Sequence, residues 1–275
     1  MPRLTPELIR AARRRHALLP LLLPECRTIE QASMELRWLA LWRLPETEQF
    51  TSHLVGHILK HLHPRSRVGI VDLCTGTGCI PLLLHNQLSM AGMSSRILGV
   101  DISTKALRSS KRNIEHNRKT LSASVREDIE FFRGDVLAVD GLVKAVEERL
   151  KGVDIVISNP PYISKESFNK STVRSVRNYE PKLALVPKGG NGDIFYPAIG
   201  QTAERLGSRA IIAEVEGWEQ ANRVKQGWEE SRAWEGVDIW KDFAGIGRTV
   251  VGWRCGWEWI RDGPDVVSYH GDWNE

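Results

Sequence analysis

The sequence predicts an α/β fold: a seven-stranded, mostly parallel sheet with an antiparallel hairpin at one edge, preceded by a small N-terminal helical region. Short β-branched runs alternate with helical stretches after Pro64, which is typical of parallel βαβ units. The last two runs have no full helix between them, which favours a hairpin. Glycines directly follow the first run, as they do where a strand end meets a ligand.

Composition places the chain among ordinary globular proteins. Of 275 residues, 41% are hydrophobic and 26% charged, which excludes a disordered or fibrous protein. The formal net charge of +4 is too small to demand an acidic partner. No apolar run approaches the roughly 20 residues of a membrane helix. Four cysteines without a CxxC pair favour free thiols and predict no metal site.

Residues 1–63 are predicted to form the N-terminal helical region, which we expect to dock the substrate. Apolar residues recur at helical spacing in Glu30–Trp42 and His53–Leu62. The first 20 residues carry five arginines against one acid, Glu7. Such a start is typical either of a mitochondrial transit peptide or of a basic first helix, and the sequence leaves both open.

Residues 64–254 contain the alternating elements and are predicted to form the main domain. The predicted strands are Val68–Leu73, Ile97–Val100, Ile129–Phe132, Val153–Ile157, Ala210–Val215, Val237–Trp240 and Thr249–Trp253. The predicted helices between them are Ile80–Gln87, Thr104–Asn117, Gly141–Leu150, Ile194–Leu206 and Glu219–Trp228.

Residues 255–275 are predicted to be a C-terminal tail. Eight of the ten tryptophans lie from Trp218 onward, and many acidic residues separate them. Those acids disfavour a surface that follows nucleic-acid phosphates, so we interpret the tryptophans as packing residues.

The first strand runs into a glycine loop, VDLCTGTGCIP, over Val71–Pro81. A dinucleotide fingerprint needs a third small residue at position 81, where this chain has proline, so a dehydrogenase is disfavoured. Asp101 and Asp135 follow the second and third strands. Each could be an ordinary carboxylate at a strand end. In this order they favour a nucleoside-type cofactor, because an acid about 20 residues after a glycine loop typically hydrogen-bonds to ribose hydroxyls.

The fourth strand runs into Asn159-Pro160-Pro161-Tyr162. An amide or base-amine nitrogen is a poor nucleophile because its lone pair is delocalised. The Asn159 side-chain oxygen and the Pro160 carbonyl could accept its hydrogens and orient the lone pair, and the prolines would fix that geometry in advance. Tyr162 could pack on the flat group. The matching electrophile is the methyl group of S-adenosylmethionine.

With these motifs, the sequence resembles the HemK-type glutamine methyltransferases, whose substrate is the glutamine of the Gly-Gly-Gln motif in class 1 peptide-chain release factors. The resemblance spans roughly residues 44–254, and NPPY and the glycine loop are shared with other amino methyltransferases. The matching segments are LPETE (44–48), VDLCTGTGCI, GVDIS (99–103), GD (134–135), ISNPPYIS (157–164), NYEPKLAL (178–185), GDIFYPAI (192–199) and DFAGIGRTV (242–250).

The resemblance implies a Rossmann-like fold, S-adenosylmethionine as cofactor, and a role for each matching residue. Positions implied to bind the cofactor are Asp72, Cys74, Thr75, Gly76, Thr77, Gly78, Asp101, Ile102, Asp135 and Asn159. Asn159, Pro160 and Tyr162 are implied to be catalytic. Positions implied to bind the substrate are Asn159, Pro160, Pro161, Tyr162, Glu46, Thr47 and Phe50.

Two departures qualify the resemblance, one at Leu44 and one in the length of the N-terminal region, and Glu180 has a further implied role. Leu44 stands where the family usually has arginine. Any contact that this arginine makes in the family is therefore either absent here or made by Arg43. Glu180 is implied to support the NPPY loop, with an unpaired surface acid as the alternative. Only about 45 residues precede PETE, fewer than in bacterial members, which bears on how a release factor docks.

The sequence therefore predicts a methyltransferase of translation termination that modifies a release-factor glutamine, mitochondrial or otherwise cytoplasmic. We expect a monomer that binds neither a membrane nor, stably, nucleic acid. One alternative is a methyltransferase for an exocyclic amine of a DNA or RNA base, which would need a basic cleft. The other is an inactive cofactor-binding scaffold, although the glycine loop and Asn159 are intact.

Overall fold

The computed structural model describes residues 5–15, 46–117, 121–122, 124–163 and 192–264. Its α-helices are α1 (Pro6–Arg15), α2 (Glu46–His61), α3 (Cys79–Met90), α4 (Thr104–His116), α5 (Val125–Asp128), α6 (Val139–Glu147), α7 (Phe195–Arg205) and α8 (Trp218–Ser231). Its strands are β1 (Arg67–Leu73), β2 (Ser94–Asp101), β3 (Ile129–Arg133), β4 (Ile155–Ser158), β5 (Ala210–Glu214), β6 (Gly236–Lys241) and β7 (Gly247–Trp253). A short 3-10 helix spans Glu258–Ile260.

The seven strands form one sheet in the order β3-β2-β1-β4-β5-β7-β6. The first five are parallel, and β7 pairs antiparallel with both β5 and β6. The predicted fold class is therefore confirmed, including the hairpin at one edge. The chain order reverses at β1 and β4, which is where open α/β sheets bind their ligands.

Both faces of the sheet are covered by helices. Alternate residues of a strand point to opposite faces, so Ile70 of β1 joins one hydrophobic cluster and Val71 the other. Helix α2 contributes Phe50, Leu54 and Ile58 to the Ile70 cluster, and all three are at most 3% exposed. Helix α2 is thus packed on the sheet, and it carries its first turn toward the carboxyl ends of the strands.

The residues that follow β7 pack against α2 and the sheet edge. Trp257 and Ile260 are buried in the same cluster as α2. The Trp240 indole donates to the Ile260 carbonyl at 3.1 Å. The Nε2 atoms of His53 and His57 lie 2.8 and 2.9 Å from the Asp262 carbonyl oxygen. Residues 255–264 therefore hold α2 in place.

Tryptophan packing agrees with the interpretation of the sequence. Five of the eight C-terminal tryptophans are at most 7% exposed, namely Trp228, Trp234, Trp240, Trp253 and Trp257. Trp218 is 41% exposed at the start of α8. Within the described ranges, no helix combines the length and apolar character needed to cross a membrane.

Some predictions fall on residues outside the described ranges. These are the helix at Glu30–Trp42, the position of Leu44 and the support of the NPPY loop by Glu180.

Candidate functional site

The glycine loop and the NPPY segment leave the sheet side by side. Strands β1 and β4 are parallel neighbours, with Leu73 opposite Ser158 at their carboxyl ends. The buried Ser158 hydroxyl donates to the Leu73 carbonyl at 2.7 Å. This bond ties together the two segments that the sequence predicts to hold the cofactor and the substrate amide.

The glycine loop turns sharply through left-handed backbone. Cys74, Gly76 and Gly78 all have positive φ, at 62°, 56° and 81°. A Cβ at Gly78 would lie 2.8 Å from the Phe131 ring, so both space and conformation require glycine there. Helix α3 begins at Cys79, directly after the loop, so the positive end of its dipole faces the loop. No acidic residue in its first turn offsets that partial charge.

Asp101 fastens this loop from the end of β2. One carboxylate oxygen accepts from the Gly76 amide at 2.9 Å, and the other accepts from the Ser103 amide at 2.7 Å. A carboxylate has roughly four acceptor positions. Asp101 can thus hold the loop and still accept hydrogen bonds from a ribose, which is its predicted role.

The other predicted cofactor residues border the same loop. Asp135 is exposed, and its Oδ1 accepts from the Leu137 amide at 3.0 Å. Ile102 and Leu137 are 45% and 46% exposed beyond β2 and β3, so both side chains are free to pack against an apolar ring. The Thr77 carbonyl accepts from the Asn113 side chain at 3.0 Å, which anchors the loop to α4.

Asp72 is fully buried at the loop's base. The pKa of Asp72 is raised to about 8, mainly by burial; the Thr75 hydroxyl opposes this shift, and the negative charge of Asp101 adds to it. The Thr75 contact falls short of hydrogen-bond geometry, so among the described residues both Asp72 oxygens and the Thr75 hydroxyl lack a partner. Burial also raises the pKa of the Cys74 thiol, which therefore stays protonated.

These features fit S-adenosylmethionine. Within the described part of the chain, Asp72 is a buried acid without a hydrogen-bond partner, which a cationic ligand would complement, and Asp101 keeps acceptor positions open for a ribose. The left-handed turn at Gly76 and Gly78 leaves the loop without side chains where a ligand approaches closely.

Asn159 is held by a chain of three side chains. Its Nδ2 donates to the Thr47 hydroxyl at 3.0 Å, and that hydroxyl donates to Glu214 Oε2 at 2.8 Å. Thr47 lies in the first turn of α2, in the segment that the sequence predicts to bind substrate. The predicted NPPY and PETE segments therefore meet through Thr47.

Tyr162 is fixed at both ends of the residue. Its hydroxyl donates to Glu214 Oε1 at 3.2 Å, and its carbonyl accepts from the Gln220 side chain, also at 3.2 Å. Gly192 packs so tightly here that a Cβ would lie 2.0 Å from the Tyr162 carbonyl oxygen. The GDIF segment thus has a physical role, since only glycine leaves room for the NPPY loop.

The structure does not bring every predicted residue into the site. Phe50 is 3% exposed and packs in the core beneath the sheet, so it does not line the surface beside Asn159. Glu46 begins α2, and Pro160 is buried.

Sequence reasoning missed Glu214, Gln220 and Tyr196. Glu214 is 3% exposed at the carboxyl end of β5, and its carbonyl accepts from the Tyr196 hydroxyl at 2.9 Å. The available signal was an acid at the end of an otherwise apolar run, AIIAE, because acidic side chains are almost never fully buried unless they are paired.

Comparisons with known proteins agree with this geometry. The family model "Methyltransferase small domain" matches residues 51–189. The chain is 28% identical to the "Mitochondrial MRF1 N(5)-glutamine methyltransferase MTQ1" of Saccharomyces cerevisiae, over 93% of this chain and 90% of that protein. It is 30% identical to a "Release factor glutamine methyltransferase" of Pasteurella multocida, over 76% of this chain and 67% of that protein.

Other relatives and one solved structure extend the comparison. With several further relatives, the chain spans about two thirds of the relative's length. A crystal structure of the METTL16 methyltransferase domain shares the fold, with a TM-score of 0.51 at 15% identity over 91% of this chain and 82% of that one.

Proposed function

Because the chain belongs to the methyltransferase small domain family and, within it, to the release factor glutamine methyltransferases, we propose that it methylates the side-chain amide nitrogen of a glutamine in the Gly-Gly-Gln motif of a class 1 release factor. The observation that carries this proposal is the position of Asn159. It follows β4 directly, one strand away from the glycine loop that follows β1.

The protein is an S-adenosylmethionine-dependent methyltransferase, and the cofactor supplies a methyl group on a positively charged sulfur. Asp101 and the glycine loop are the residues proposed to hold it, with Asp135 on the adenine side. The carboxylates Asp101 and Asp135 bring negative charge to the proposed cofactor position, which favours a cationic ligand.

The chain's own residues are proposed to orient the substrate amide. The Asn159 side-chain oxygen and the Pro160 carbonyl accept its two hydrogens, so that its nitrogen faces the methyl donor. Pro160 is buried and its φ is fixed by the ring, so this alignment requires little reorganisation. Transfer forms a C–N bond and breaks an S–C bond, and the nitrogen then releases one of its protons.

The first turn of α2 supports a docking role for residues 1–63. The Thr47 hydroxyl, from that turn, donates to Glu214 and accepts from Asn159, so the N-terminal region contacts the site directly. We propose that this region positions the release factor over residues 64–254, and that the enzyme acts as a monomer.

We propose a mitochondrial location. The Saccharomyces cerevisiae relative bears a mitochondrial name, and five arginines stand in the first 20 residues of this chain. Fusion of those 20 residues to a fluorescent protein should direct it to mitochondria, and cytosolic fluorescence would contradict the location.

The activity is tested by transfer of radiolabelled methyl from S-adenosylmethionine to a recombinant mitochondrial release factor. Its Gly-Gly-Gln glutamine is replaced by alanine in a parallel sample, and DNA and RNA are offered separately. Label on the unaltered factor alone is expected. Label on nucleic acid would instead support the base-amine alternative.

Asn159→Ala separates the substrate role from the cofactor role. It is expected to abolish methyl transfer while leaving the dissociation constant of S-adenosylmethionine within a few-fold. Turnover by this variant would show that Asn159 does not orient the amide, and loss of cofactor binding would place Asn159 in the cofactor site instead.

A further inference from the structure

We propose that Glu214 is a positioning residue that fixes which way the Asn159 side-chain amide points. Acting through Thr47, its carboxylate turns the Asn159 NH2 group away from the substrate and leaves the Asn159 oxygen free to accept. This inference rests on the proposed function, because it concerns the same amide-orienting residue.

The relay consists of two consecutive hydrogen bonds. Asn159 Nδ2 lies 3.0 Å from the Thr47 hydroxyl, and that hydroxyl lies 2.8 Å from Glu214 Oε2. The three residues come from three elements: the end of β4, the first turn of α2 and the end of β5. Residues 47 and 159 are 112 positions apart, so only the fold brings them together.

The direction of the relay follows from what each group can donate. Each Glu214 oxygen faces a hydroxyl, that of Thr47 or that of Tyr162, and in its ionised form the carboxylate has no hydrogen to give, so the Thr47 hydroxyl donates its single hydrogen to Glu214. The same hydroxyl can then only accept from Asn159, so the Asn159 NH2 group must face it. The amide's other end, Oδ1, is thereby directed away from Thr47.

This direction matters because an asparagine amide is nearly symmetric in shape. Rotated by half a turn, Asn159 would present NH2 to the substrate, whose own NH2 group also donates. Two donors cannot form a hydrogen bond with each other, and the substrate nitrogen would lose one of the two acceptors that hold it. Only the observed orientation therefore binds a substrate amide productively.

The surroundings of Glu214 hold its carboxylate in the position that fixes the orientation of the Asn159 amide. Its side chain is 3% exposed, so water competes little for its oxygens. Its second oxygen accepts from the Tyr162 hydroxyl at 3.2 Å, and its backbone carbonyl accepts from Tyr196 at 2.9 Å. The Thr51 hydroxyl donates to the Thr47 carbonyl at 2.6 Å, which fixes the first turn of α2.

The kinetic test uses Glu214→Gln, Thr47→Val and Thr47→Ser with a recombinant mitochondrial release factor as substrate. The glutamine introduced by Glu214→Gln can donate, so the Thr47 hydroxyl can reverse its direction. We expect kcat to fall about 10- to 100-fold in Glu214→Gln and in Thr47→Val, as misorientation of a reacting group does. KM for S-adenosylmethionine should change by less than about twofold, because the cofactor loop is untouched.

Two further variants separate positioning from general damage. Thr47→Ser keeps the hydroxyl and is expected to retain kcat within about threefold. Glu216→Gln makes the same change two residues further along and should leave kcat unaltered. The double variant Glu214→Gln/Thr47→Val should lose no more than either single variant, because one broken link already frees Asn159. Wild-type kcat in Glu214→Gln, or additive losses, would overturn the proposal.

A second readout does not depend on methyl transfer. In protein labelled with 15N-asparagine, the NMR signal of the Asn159 side-chain NH2 group is assigned as the one that is absent from the spectrum of Asn159→Ala. Its NH2 hydrogens should exchange with water about fivefold faster in Glu214→Gln and Thr47→Val than in wild type or Thr47→Ser, because one hydrogen bond is lost.

Together the two readouts distinguish failure of the relay from failure of the proposed function. If the wild type methylates no release factor but the Asn159 signal responds as expected, the relay stands and the substrate assignment falls. If the signal is the same in all variants, the relay is refuted whatever the enzyme methylates. Should Glu214→Gln fail to fold, the pair Thr47→Val and Thr47→Ser still tests the Thr47 link, and equal kcat and equal exchange rates in the two would overturn the relay.

Discussion

Replacing Asp72 with asparagine is expected to change how the stability of the cofactor-free protein depends on pH. Burial raises the pKa of Asp72 from an ordinary 3.8 to about 8. Between these two values the folded state keeps a proton that the unfolded chain has lost. The contribution of Asp72 to the wild-type free energy of unfolding must therefore fall as pH rises through this range, because ionisation favours the unfolded chain.

The size of the effect follows from one proton. A difference of one bound proton between the two states is worth about 1.4 kcal/mol per pH unit. From pH 5 to pH 7 the wild type should lose about 3 kcal/mol from Asp72 alone. The asparagine side chain of the variant cannot titrate, so the stability of Asp72→Asn relative to wild type should rise by that amount over the same interval.

The assay is equilibrium unfolding in urea, followed by tryptophan fluorescence, at several pH values and one ionic strength. Asp135→Asn serves as a control, because it makes the same substitution at an exposed aspartate. This control shows what the loss of a surface acid does by itself. If the difference between Asp72→Asn and wild type did not rise between pH 5 and pH 7, Asp72 would not be protonated in the folded protein.

Three further predictions concern the glycine loop, the contact of Gly192 with the NPPY loop, and the C-terminal segment. Asp101→Ala should weaken S-adenosylmethionine binding by about 1–3 kcal/mol, since the Gly76 amide loses its acceptor; unchanged affinity by calorimetry would place the ribose elsewhere. Gly192→Ala should lower the free energy of unfolding by about 1–3 kcal/mol and reduce kcat, since its Cβ would clash with the Tyr162 carbonyl. Gly227→Ala, in open space on α8, should instead stabilise by up to about 1 kcal/mol, and equal effects would refute the clash. Trp257→Ala should destabilise by about 3–5 kcal/mol in urea unfolding, whereas a segment that packs loosely would lose less than about 1 kcal/mol.

Local patterns predicted most of the fold because strands and helices leave periodic signals. The run predicted as Val68–Leu73 is strand Arg67–Leu73, and the hairpin at the end of the chain is present. The position of β7 between β5 and β6 was not predictable, because strand pairing depends on contacts between distant parts of the chain.

The site shows the same division. The sequence could single out Asn159 and the glycine loop as candidates because each belongs to a contiguous motif at a strand end. The Thr47–Asn159 contact joins segments far apart in sequence, and no spacing rule predicts it. Phe50 was predicted to contact substrate, although Phe50, Leu54 and Ile58 recur every four residues. That spacing is typical of a buried helix face, which is where the structure places Phe50.

The place of β7 in the sheet has a consequence for how the chain is made. Strand β5, which ends at Glu214, pairs with β4 on one side and with β7 on the other. Until residues 247–253 leave the ribosome, β5 is an open apolar edge, and such edges recruit other chains. The nascent enzyme therefore keeps one edge of a buried, apolar strand unpaired until β7 has been made. A chain that terminates before position 247 is expected to aggregate, and a chaperone bound to that edge would have to release it before Glu214 could be set in place.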